Sequence, residues 1–199
     1  MMLHLILADA ELESIPKSRD IDSEIPILDA YMHKSLLNTL SDRERRGRPD
    51  IVHQSLLLCQ SSRLNRTDRL RTYVHTRDDI ILQIDTSVKI PPNQIEFLKL
   101  MGHLFDGNDV KGYTVLRSPL CTLLDSLNIP AVVMSPAGEC VELPIVMDSY
   151  DNLAIIVGAF PCGDYRSPVY DIADANISLG PELFTVPTVI SELLCAALR

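Results

Sequence analysis

Leu153-Ala154-Ile155-Ile156-Val157-Gly158 is an unbroken apolar run closed by a glycine. A strand covered by helices on both faces reads this way, because neither side of its pleat meets water. Strands of that kind belong to a parallel sheet in an α/β domain. Working outward, residues 2–8 form a second apolar run that ends at Asp9. Further short strands are expected at 113–116, 131–134, 141–143, 153–160 and 177–179. The apolar residues between Ile27 and Leu40 recur at helical spacing, and Gly47 and Pro49 end that pattern. Residues 51–59 read as a helix capped by Asp50. Pro91-Pro92 opens another over 94–104, and a last one covers 188–198. Strands at 71–75 and 80–85, joined by the Arg77-Asp78-Asp79 turn, read as a small β-containing, Arg-rich insertion at about 60–90. The whole of 1–199 is expected to be one domain.

Composition excludes several classes. Of 199 residues, 46% are apolar, too many for a disordered chain. No apolar run reaches the roughly 18 residues of a membrane span. Met1 to Asp9 has no basic lead and meets an acid early, so it reads as a first strand rather than a signal peptide. Cys59, Cys121, Cys140, Cys162 and Cys195 are scattered without a Cys-x-x-Cys pair, which suits a reducing cytoplasm. The five histidines have no ligand spacing either, so no metal is expected.

Charge becomes informative once mapped. The chain carries −9 overall, yet residues 41–77 hold nine Arg against four acids. Half of the 18 basic residues lie in that segment, and all of them are Arg. Arg grips phosphates bidentately where Lys does not. One anionic partner at one face is therefore expected, with Arg45, Arg46, Arg63 and Arg66 as its phosphate contacts.

Three loops follow the second-half strands: 134–138, 157–163 and 177–185. Ligands on α/β sheets collect at the carboxyl ends of strands. The small residues there let a ligand approach main-chain amides and carbonyls, an arrangement suited to an adenosine. None is a Gly-x-Gly-x-x-Gly or a Walker loop, so neither a dinucleotide nor a triphosphate is indicated. Arg45-Arg46-Gly47-Arg48-Pro49-Asp50 is more pointed. Pro49 forces Arg48 to be extended, and Asp50 is close enough to hold its guanidinium. His53, alone on an apolar helix, reads as a packing residue. No Ser-His-Asp or Cys-His set assembles, which weakens a hydrolase reading.

At these residues the sequence resembles a known family. The Leu3–Glu13 run, Arg46-Gly47-Arg48-Pro49-Asp50-Ile51, Val88-Lys89-Ile90-Pro91, and Val157-Gly158-Ala159-Phe160 with Gly163 look like the archaeal-type ribosome-biogenesis methyltransferases of the SPOUT superfamily. That family methylates N1 of a pseudouridine in small-subunit rRNA. The resemblance spans nearly the whole chain. It implies a trefoil-knotted parallel sheet with flanking helices, a homodimer, and S-adenosylmethionine as cofactor. By position, the cofactor would meet Ser135, Pro136 and Gly138; Gly158, Ala159, Phe160 and Gly163; and Ile177, Ser178, Leu179, Gly180, Leu183, Phe184 and Thr185. Arg48 would contact RNA and act in transfer, Asp50 would steady it, and Lys89 would add a basic RNA contact. Ribosomal assembly proteins are further expected partners. This chain departs from the family pattern at Ser61, Pro92 and Glu96, and in a two-residue insertion near Gly180-Pro181. Those departures keep a second reading in view, a non-catalytic rRNA-binding assembly factor.

Overall fold

The computed structural model describes residues 1–16 and 24–198. Seven strands form one sheet: β1 (Met2–Ala10), β2 (Leu70–Thr76), β3 (Ile80–Ile84), β4 (Tyr113–Arg117), β5 (Ala131–Cys140), β6 (Asn152–Gly158) and β7 (Ala175–Ser178). Across the sheet the order is β4-β3-β2-β1-β6-β5-β7. The pairs β1–β2, β1–β6, β5–β6 and β5–β7 are parallel. The sheet is thus mostly parallel, with an antiparallel flank in which β3 pairs with both β2 and β4. The hairpin of the 60–90 segment is continuous with the main sheet, because β2 lies directly against β1.

The helices are α1 (Lys34–Leu37), α2 (Pro49–Ser61), α3 (Arg63–Arg66), α4 (Gln94–Phe105), α5 (Leu120–Leu127), α6 (Leu143–Asp148), α7 (Val169–Ile172) and α8 (Val186–Ala196). They cover both faces of the sheet. Leu153, Ile155 and Val157 of β6 pack with Leu56, Phe97 and Ile190 on one side. Ala154 and Ile156 pack with Leu120, Leu124 and Val169 on the other. Successive side chains of one strand therefore enter opposite cores, which is why the run is apolar without alternation.

Four local expectations change. The helical spacing of 27–40 yields only α1, because Asp29 accepts the Tyr31 and Met32 N–H groups at 2.9 and 3.0 Å and starts a turn there. Leu28, Leu36 and Leu37 still meet, in a small core of their own. The helix starts differ: Arg48, with φ −117 and ψ 54 rather than extended, stands at the cap of α2, Pro49 opens the helix and Asp50 sits in its first turn, while Asn93 rather than Pro91-Pro92 caps α4. In the first turn of α2 the Asp50 charge suits the helix dipole. Residues 141–143 are not a strand, since β5 continues to Cys140 and α6 starts at Leu143. The short helices α3, α5 and α7 were not expected, although Leu120, Leu123, Leu124 and Leu127 of α5 stand at helical spacing.

His53 is a packing residue. Its ring stacks on Phe97 with centroids 4.5 Å apart, and Nε2–H donates to the Pro91 carbonyl at 2.7 Å. Cys59, on the same buried face of α2, is fully enclosed, and burial pushes its thiol up to about 12. A thiol with that value stays protonated at pH 8, and the thiolate is the reactive form. Native protein treated with iodoacetamide at pH 8 should therefore label Cys140, Cys162 and Cys195, which are exposed. Cys59 should label only after denaturation, as read by peptide mass spectrometry.

Candidate functional site

The expected loop at 134–138 is instead a bulged stretch within β5. It meets the glycine- and proline-bearing loops after β6 and β7 because β6, β5 and β7 are adjacent and parallel. Between them lies a cleft of about 640 Å³, within the usual range for a small-molecule site. Ser135, Pro136, Gly158, Phe160, Gly163, Ser178, Leu179, Leu183, Phe184 and Thr185 line it, as do Arg48 and Asp50. Helix α2 packs against α8, and this brings the Arg48 end of α2 to the cleft.

Four of the expected cofactor residues stand behind the wall rather than in it. Ala159 and Ile177 are buried in the core. Gly138 lets β5 lie close to β7, since a Cβ there would sit 2.5 Å from the Ile177 carbonyl carbon. Gly180 adopts φ +139, and its N–H donates to Ser178 Oγ at 3.1 Å, shaping the third loop.

Arg48 and Asp50 form a two-pronged pair. Arg48 Nε–H donates to Asp50 Oδ1 at 2.8 Å and Nη2–H to Oδ2 at 2.9 Å. That hydrogen bonding raises the Arg48 guanidinium above its usual value. Both side chains are partly exposed, so the cation stays available at the cleft while its direction is set.

Arg45 and Arg46 do not offer themselves to a phosphate. Arg45 is buried, and its Nε–H donates to Glu11 Oε1 at 2.7 Å. Its guanidinium carbon lies 3.8 Å from the centre of the Phe160 ring, and its Nη1 donates to the Asp164 carbonyl. Arg46 grips Glu13 with Nε and Nη2 at 2.9 and 2.5 Å. Arg77 completes the cluster by donating to Glu11 Oε2 at 2.6 Å. Sequence distance hid these pairs, because the acids lie more than 30 residues from their partners. By contrast Arg63, Arg66 and Lys89 are exposed.

Sequence reasoning also passed over Asp164 and Tyr165 in the wall of the cleft, and Tyr170, which braces them. The Tyr165 hydroxyl donates to the Met134 carbonyl at 2.8 Å, and burial pushes its phenol well above the ordinary range. Phe160 and Tyr170 each meet the Tyr165 ring edge-on. The Asp-Tyr step after Gly163 in the second loop was the available signal. Among the described residues, no cluster of three or more His, Cys, Asp or Glu could hold a metal ion. Nor is any helix among them long and apolar enough to cross a membrane.

The fold and cleft define an α/β protein with a small-molecule site at the carboxyl ends of its parallel strands and an oriented arginine at that site. A family model described as EMG1/NEP1 methyltransferase matches residues 5–198, and the chain belongs to that family. It is 37% identical to the ribosomal RNA small subunit methyltransferase Nep1 of Methanothrix thermoacetophila, over 97% of this chain and 94% of that one. It is equally identical to the Pyrococcus furiosus protein of the same name, over 96% and 94%. The crystal structure of Archaeoglobus fulgidus Nep1 bound to S-adenosylhomocysteine superposes with a TM-score of 0.87 at 28% identity, covering 99% of this chain and 97% of that one.

Replacing Glu11 by Gln keeps the volume but leaves Arg45 without its buried counter-charge and Arg77 with only the more distant Glu13 and Asp42. The variant should lose about 3–5 kcal/mol of stability, measured by guanidinium unfolding.

Proposed function

We propose that this chain transfers the methyl group of S-adenosylmethionine to N1 of a pseudouridine in small-subunit ribosomal RNA. The observation that carries this reading is the sharing of one cleft by the three small-residue stretches and the Arg48–Asp50 pair. A donor site and a group that can grip the target base are thus within reach of each other. The names of the relatives, and the S-adenosylhomocysteine bound by the Archaeoglobus protein, support the same reading.

The residues present fit the cofactor. Val157, Leu179, Leu183, Phe184 and Val189 give the cleft apolar walls for a flat heterocycle. Main chain around Pro136, Gly158 and Gly163 is open to close approach. When bound, the sulfonium supplies an intrinsically electrophilic methyl, so the chain mainly has to align donor and acceptor. Arg48, held in direction by Asp50, orients the nucleotide and stabilises negative charge growing on the base as N1 loses its proton. Both Asp50 oxygens are occupied by Arg48, which makes Asp50 its positioning partner. The target base leaves its stack to reach the cleft, at a cost of a few kcal/mol.

Arg63, Arg66 and Lys89 are the RNA contacts in this proposal, because they are exposed and basic. The trefoil-knotted chain path, a cytoplasmic location and contacts with ribosomal assembly proteins belong to the same reading. So does a homodimer, in which a second copy would cover exposed apolar side chains such as Ile145, Leu183, Phe184 and Leu198.

The test uses two small-subunit rRNA hairpins that differ only in pseudouridine or uridine at one loop position. Labelled methyl should appear on the pseudouridine hairpin alone. Binding of both without label would instead support the non-catalytic assembly factor. Arg48→Ala should cut transfer about 100-fold, while calorimetry shows the methyl donor still bound. Arg63→Ala and Arg66→Ala should each lower the salt dependence of hairpin binding by about one phosphate contact. Unchanged slopes would remove them from the interface.

A further inference from the structure

Four charged residues line the cleft among those described: Arg48, Asp50, Asp164 and Glu182. Arg48 and Asp50 neutralise each other through two hydrogen bonds. The unbalanced charge is therefore negative, and its two carriers differ. Glu182 sits on the exposed third loop beside Leu183, which is 83% exposed. Asp164 is built in. Its Oδ1 accepts the Tyr170 hydroxyl at 2.6 Å and the Tyr165 N–H at 2.8 Å. The same Tyr170 hydroxyl lies 3.1 Å from Ser135 Oγ, so one phenol on α7 links Asp164 to β5. The rings of Tyr165 and Tyr170 meet edge-on at 5.8 Å, and Tyr165 is anchored to the Met134 carbonyl. Below, Arg45 holds the Asp164 carbonyl from its buried pair with Glu11. Backbone, ring and hydroxyl together give this carboxylate a set position on the wall.

We propose that Asp164, positioned by Tyr170, makes the cleft prefer a sulfonium-bearing methyl donor over its neutral thioether product. The inference rests on reading the cleft as the donor site. Donor and product share adenosine, amino and carboxyl groups and differ by one methyl and one positive charge at sulfur. Apolar walls and main-chain contacts treat the two nearly alike. A carboxylate fixed on the wall attracts only the extra cation, since the neutral thioether offers it no charge. Its exposure limits the effect, so the preference is worth about three- to tenfold in affinity. The consequence is chemical: methyl transfer removes the charge that Asp164 favours and weakens retention of the product.

Asp164→Asn keeps the shape and the acceptor for the Tyr165 N–H while removing the charge. Calorimetric titration of wild type and variant with S-adenosylmethionine and with S-adenosylhomocysteine reads the ratio of the two dissociation constants without any turnover. The expected result is a ratio that moves about three- to tenfold toward the product in Asp164→Asn, with product affinity nearly unchanged. Tyr170→Phe, which frees the carboxylate, should shift the ratio part of the way. Equal weakening of both ligands in Asp164→Asn would overturn the proposal and assign Asp164 to their common amino group. An unchanged ratio overturns it as well. Wild type that binds neither ligand would overturn the donor-site reading itself, a different failure from an unaltered ratio in protein that binds both.

Discussion

Glu11 has no exposed surface, yet it carries a charge that two guanidinium groups share. A lone buried carboxylate is costly, and only close counter-charge with well-formed hydrogen bonds offsets that cost. Arg45 and Arg77 meet that need from different parts of the chain, and Arg46 does the same for Glu13. The acidic end of β1 is thus the point at which the arginine-rich segment is fastened to the sheet. Arg45 then reaches past Glu11 to the Phe160 ring and the Asp164 carbonyl. One ion network consequently sets both the base of the second loop and the start of the segment that carries Arg48.

That arrangement divides the arginines into two kinds of work. Those whose acids lie behind the sheet edge are consumed by folding. Arg48 is different because its partner, Asp50, is local and half-open, which leaves the cation oriented without removing it from solvent. Arg63 and Arg66 stand in the last turn and cap region of short α3 and remain exposed. The buried cluster sets Arg45, Arg46 and Arg77 against only Glu11 and Glu13, so it draws on the basic charge of the segment and leaves Arg48, Arg63 and Arg66 among its accessible cations.

The cleft follows from sheet order. Because β6, β5 and β7 are neighbours with one direction, their carboxyl ends have no choice but to meet. The chain visits these strands as fifth, sixth and seventh but places β6 next to β1, so the loop after β6 also packs against the acidic end of β1. Glu11 N–H donates to the Ala159 carbonyl at 3.2 Å, and Ala159 N–H to the Ala8 carbonyl at 2.8 Å. Backbone and ion network reinforce each other at that junction. Asp9 extends it by accepting the Arg166 N–H and the Ser167 N–H and hydroxyl.

Local chemistry was legible in the sequence wherever it was strong. The unbroken apolar run of β6 and the pairing of Arg48 with Asp50 depend on neighbours within a few residues. So do the small residues of the three stretches, and local rules read all of these directly. What the sequence by itself determined was the α/β class, the loops and the Arg48–Asp50 pair. Only tertiary structure decided that β2 and β3 continue the main sheet and that Asp164 and Tyr165 join the cleft wall with Tyr170 bracing them. It also decided that Arg45 and Arg46 belong to the interior. Their partners are 33 and 34 residues away in the chain, and whether a charge faces water or a buried acid depends on how the strands are ordered, which no local pattern encodes.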